Sequence, residues 1–191
     1  MKGLLSLLFL FPMTAFAHSA ESTAGFLAGV IHPMTGWDHL LAMIAVGVLS
    51  SRYGGATIWQ IPAAFIVSML AGLYLGESGF ALAYYESAIA LSLVLFGGLI
   101  VYRAVPSVVA MVVIVLFFGI FHGYAHGIEI GGLINPIGFR KGFFMGSVLI
   151  HVLGVVLGMV PAQYHRYHQG VVMSGYGFIV AGGLSLIIGL V

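Results

Sequence analysis

Residues 107–129 read SVVAMVVIVLFFGIFHGYAHGIE. The run is apolar as far as Phe121, and then His122, His126 and Glu129 arrive. About 20 apolar residues make a helix long enough to cross a bilayer. Positions i, i+4 and i+7 share one face of a helix, so His122, His126 and Glu129 form a single stripe. Ionisable groups at membrane depth are costly and mark a pathway or a site. Two imidazoles at i, i+4 can grip one metal ion from the same face. Gly119, Gly123 and Gly127 recur at every fourth position beside this stripe, leaving room for another helix or for an ion.

The rest of the chain has the same character. Of 191 residues, 61% are hydrophobic and only 6% are Asp, Glu, Lys or Arg, with a mean hydropathy of +1.16. A soluble domain would carry about a quarter charged residues. The composition therefore predicts an all-α integral membrane protein, one bundle without a second domain. Five stretches are long and apolar enough to cross, and a sixth does so around a Pro/Gly break. The expected spans are 24–49, 57–76, 80–102, 107–128, 142–160 and 171–190. Residues 1–17 read as a cleaved signal peptide, with Lys2 in the n-region and Ala15-Phe16-Ala17 at the cut. Cleavage leaves His18 at the mature N-terminus, where its α-amine and imidazole offer two nitrogens to a divalent ion, or where it simply follows the cut. That start places both mature termini outside and Arg52, Arg103 and Arg166 inside, while Arg140 and Lys141 fall outside against the positive-inside tendency. Arg140, Lys141, Glu77, His165 and His168 read as loop residues.

His32-Pro33-Met34-Thr35-Gly36-Trp37-Asp38-His39 is the second informative stretch. Pro33 removes a ladder hydrogen bond, and with Gly36 it predicts a break within the first span. Broken membrane helices commonly line substrate cavities. His32, Asp38 and His39 gather at this break as candidate ligands. Thr35-x-x-Asp38 is also a capping-box pattern, which would make Asp38 a cap for a restarting helix. Glu86 opens the third span after Tyr84-Tyr85, as an access group or an interfacial one. His151, deep in the fifth span, is a further ligand or a hydrogen-bonded core histidine. Met43 reads as packing.

Several functions are excluded or demoted. No G-x-x-x-x-G-K loop is present, which speaks against an ATP-driven pump, and no basic run suggests nucleic acid. With no cysteine, disulfides and thiolate metal sites are ruled out. Imidazole and carboxylate suit borderline divalent ions such as Ni²⁺ and Co²⁺. No H-E-x-x-H motif points to an enzyme. A proton relay, a haem-binding subunit or a metallocentre assembly protein remain alternatives.

His32-Pro33-x-x-Gly36-x-Asp38-His39 and Phe121-His122-Gly123-x-Ala125-His126-Gly127-x-Glu129 resemble the two signature motifs of the HupE/UreJ family. The resemblance covers essentially the whole chain. It implies a bacterial permease that imports nickel, or cobalt, across the cytoplasmic membrane without ATP, in connection with hydrogenase or urease maturation. It implies metal contacts at His32, Asp38, His39, His126 and Glu129, and a third-span acid that Glu86 matches. The metal is then cargo, and no prosthetic group is expected.

Overall fold

The computed structural model describes residues 25–130, 136–160 and 165–188, with the backbone alone at 136 and 165–168. The leader read at 1–17 and His18 lie outside the described residues. Every regular element among those described is an α-helix: α1 (25–35), α2 (Trp37–Ser50), α3 (Thr57–Glu77), α4 (Tyr85–Val101), α5 (Val108–Ile130), α6 (Pro136–Met159) and α7 (His165–Ile188). Stretches within α3, α5, α6 and α7 are long and apolar enough to cross a membrane, and α2 and α4 are shorter apolar helices. This is a helical, multi-pass membrane protein.

The helices associate mainly as three pairs, α3 with α5, α4 with α7, and α2 with α6. The α3–α5 pair runs parallel. Gly119, Gly123 and Gly127 of α5 meet Phe65, Met69 and Leu73 of α3, at a constant offset. A Cβ at Gly123 would lie 1.7 Å from the Met69 carbonyl oxygen, so only glycine permits this approach. The space beside the histidine stripe is thus filled by a helix. On α6, a Cβ at Gly142 would stand 2.0 Å from the Phe26 carbonyl oxygen of α1. The second helix, α2, touches α3, α4, α6 and α7, and its residues from Ala42 to Ser50 are almost all buried. Met43 is fully buried there, as packing requires.

The predicted break falls at Gly36, whose extended backbone (φ −83°, ψ 106°) separates α1 from α2. Pro33 itself stays helical in the last turn of α1. The capping box does not form. Gly36 makes no side-chain cap, and the Thr35 hydroxyl donates back to the His32 carbonyl at 2.7 Å.

Four boundaries differ from the hydropathy reading. Arg140 and Lys141 lie in the first turns of α6, which begins at Pro136, a residue suited to a helix start. Glu77 closes α3, and its carboxylate takes two hydrogen bonds from Arg140, at 3.0 Å from Nε and 2.5 Å from Nη2. Glu77 is therefore paired rather than a solvated loop acid. His165 and His168 belong to α7 rather than to a loop. Polar residues near these helix ends, Glu77, Arg140, Lys141, His165 and His168, interrupt the apolar runs, which is where hydropathy stops seeing a helix. The third helix of the reading, α4, starts at Tyr85 rather than 80, because residues 78–84 form a turn. Gly79 and Tyr84 take positive φ there, and the Tyr124 hydroxyl bonds Phe80 O and Leu82 N.

Candidate metal pathway

A cavity of about 740 Å³ opens where α4 begins and α5 ends. Its wall includes His32, Asp38, His39, Glu86, His126 and Glu129. Among the described residues, no Lys or Arg lines it. The break at Gly36 divides the first motif between two tiers.

The upper tier joins α1 to the end of α5. His32 Nε2 lies 2.9 Å from Glu129 Oε2, and His126 Nδ1 lies 4.0 Å from the same oxygen. One donor atom from each of His32, His126 and Glu129 falls within 4.8 Å of the others. Two donors on opposite sides of one divalent ion, each at about 2.1 Å, are about 4.2 Å apart. A small side-chain rotation closes the set around an ion.

The lower tier joins α2 to α5. Asp38 Oδ1 accepts from the His39 backbone N–H at 2.9 Å and from His39 Nδ1–H at 2.8 Å. The His39 ring packs 4.3 Å from His126 and 4.8 Å from His122, centroid to centroid. His122 is fully buried behind the cavity wall. Its Nε2 lies 2.9 Å from Ser92 Oγ. That hydroxyl spends its only hydrogen on Ile89 O at 2.6 Å, so His122 must donate and keep its lone pair on Nδ1.

Six buried side-chain nitrogens make no well-aligned hydrogen bond among the described residues: His39 Nε2, His122 Nδ1, both nitrogens of His126, His151 Nε2, and His32 Nε2, which has the Glu129 carboxylate 2.9 Å away but poorly aligned. No oxygen and no other residue type shares this condition there. Buried polar atoms normally find partners, and consistent exceptions point to a ligand. The two glutamates lie nearer the mouth. Glu129 is 59% exposed on its side chain, and Glu86, also exposed, accepts from the Tyr85 hydroxyl at 3.1 Å. Exposed carboxylates thus lead to buried imidazoles.

The structure brings together His32, Asp38, His39, Glu86, His126 and Glu129 around one cavity, with His122 directly behind. His151 lies apart. Ser92 and Tyr124 were not flagged by the sequence reading. Ser92 fixes the His122 ring, and Tyr124, inside the second motif, ties the 78–84 turn to α5.

Fold and site together define a polytopic membrane protein with a histidine–carboxylate cluster inside its helical bundle. The family model for the HupE / UreJ protein matches residues 5–186, and the chain belongs to this family. It is similar to "Protein HupE" of Rhizobium leguminosarum bv. viciae, 37% identical over 179 residues that cover 93% of this chain and 92% of that protein. No solved structure matches it.

Proposed function

We propose that the chain is a permease that carries Ni²⁺ inward across the cytoplasmic membrane, without ATP, through the His/Asp/Glu cluster. The observation that carries this reading is the set of buried imidazole nitrogens without hydrogen bonds, facing carboxylates with no basic neighbour among the described residues of the cavity wall. Such a set is costly in hydrocarbon, and a divalent cation answers both its lone pairs and its negative charge. Family membership supports the same reading.

The proposed path follows the exposure gradient. A hydrated ion meets Glu86 and Glu129 at the mouth and sheds its first waters there. His32 and His126 replace further waters in the upper tier. His39 and His122 receive it in the lower tier, where Asp38 balances its charge. Permeation needs binding strong enough to enter and weak enough to leave, and imidazole with carboxylate, without thiolate, meets both demands. The inward-negative potential contributes about 2.3 kcal/mol per charge per 100 mV, doubled for a divalent ion. Accumulation then needs no coupling ion. In this reading both mature termini face outward, and the imported metal supplies a hydrogenase or urease.

The test is uptake of radioactive Ni²⁺ by cells making this protein, with Co²⁺ as competitor and His126→Ala as control. Uptake that vanishes in the control, with Co²⁺ competing weakly, is the expected result. Strong competition by Co²⁺ would reassign the cargo to cobalt. No uptake by correctly inserted protein would point instead to a proton relay or a metallocentre assembly role.

A further inference from the structure

His151 lies in α6 outside the cavity just described, and its ring is set for a ligand. Its Nδ1 is 2.8 Å from the Ser147 carbonyl oxygen. A carbonyl can only accept, so Nδ1 carries the proton and Nε2 holds the lone pair. That Nε2 is buried and has no hydrogen-bond partner among the described residues. The residue is 2% exposed.

Its depth places it beyond the lower tier. A Cβ on Gly47 of α2 would be 2.5 Å from the His151 carbonyl oxygen, so the two residues are level. Gly47 lies eight residues past His39 on the same helix, about 12 Å farther along the bundle. The Phe65 ring packs against both histidines, 5.4 Å from His122 and 5.4 Å from His151. Phe65 is fully buried. On its other side His151 borders a second cavity of about 300 Å³ between α3 and α6. Trp59, Pro62, Ile66, Phe144 and Val148 share that wall. These α3 residues belong to the helix end remote from the first cavity.

We infer that His151 is a relay ligand in the inner half of the path, taking the divalent ion from His122 when the Phe65 ring swings aside. The inference rests on the permease reading. The second cavity offers hydrocarbon and aromatic surface, and among the described residues of its wall the one imidazole is His151. Apolar constrictions bar ions by excluding water. A single lone pair beyond the constriction gives the ion a place to land. In the hop, the bond to His122 Nδ1 breaks as the bond to His151 Nε2 forms. Both rings stay neutral and no proton moves.

The test compares radioactive Ni²⁺ uptake by wild type, His151→Asn and His151→Gln at equal membrane abundance, beside equilibrium Ni²⁺ binding to each purified protein. The Asn amide can still donate to the Ser147 carbonyl, while both variants lose the imidazole ligand. The expected result is a maximal rate lowered about tenfold or more, the scale on which metal-site substitutions act. The half-saturating concentration and the equilibrium affinity should stay unchanged. Wild-type rates in either variant would overturn the relay. So would a parallel loss of affinity and rate, which would make His151 a prop for the outer ligands. Either variant suffices if the other fails to accumulate. No uptake by the wild type would defeat the permease reading itself, and the relay with it.

Discussion

His39 donates through Nδ1 to Asp38, and that single contact leaves Nε2 free to face His122 and His126. Ser92 does the same for His122 from the opposite ring position. At the residue scale the candidate site is therefore a matter of tautomers, each fixed by the hydrogen bond at the far side of the ring. Asp38→Asn keeps the shape, removes the charge and lets the amide turn its N–H₂ toward His39. It should lower Ni²⁺ uptake by about 10–100-fold, the usual loss when such a partner is removed, with unchanged insertion. Uptake measured at equal membrane abundance checks this, and an unaffected variant would remove Asp38 from the path. The histidines and acids were legible in the sequence because ionisable residues are conspicuous in apolar runs. Ser92 was not, because a serine in a membrane helix ordinarily bonds back to its own turn, as this one also does to Ile89.

The elements hold these rings in place through glycine. The spacing of Gly119, Gly123 and Gly127 announced a close helix contact but not its partner, since a missing side chain says nothing about what fills its place. The partner is α3, which locks one side of α5 and leaves His122 and His126 turned toward α2 and α4. Gly123→Ala should force the pair apart, because its Cβ would meet the Met69 backbone at 1.7 Å. A loss of about 1–3 kcal/mol is expected, as for other overpacked interiors. Gly98→Ala is the control: its Cβ would meet nothing within 4 Å. Thermal unfolding of the detergent-solubilised variants separates the two, and equal melting temperatures would refute the α3–α5 packing. Helix ends were the least legible feature. The apolar run that begins at Gly142 hides six earlier residues of α6, Arg140 among them. The break at Gly36 was legible, because few residue pairs interrupt a membrane helix as Pro and Gly do.

Across the whole molecule, the candidate ligands are shared out among the three helix pairs. His32, Asp38 and His39 belong to α1 and α2, which pack on α6. His122, His126 and Glu129 ride on α5 with α3, and Glu86 heads α4, the partner of α7. Glu77 and Arg140 add a tie between α3 and α6, with the guanidinium 5.2 Å from the Tyr74 ring centroid. Topology on this scale was beyond the sequence, since similar apolar spans carry little record of which neighbour each will choose.

That distribution has a mechanical consequence. An ion held by His32, His126 and Glu129 is a cross-brace between α1, which packs on α6, and the α3–α5 pair, added to the Arg140–Glu77 tie. Loading should therefore toughen the protein against heat by about 2.7 kcal/mol at a hundredfold excess over the dissociation constant. A melting temperature that rises with added Ni²⁺, and falls back with a chelator, is the expected signature; an indifferent one would mean that the helices do not share the ion. While in transit, the cargo would be a fastener of its own carrier, and a cell short of metal would hold the looser form.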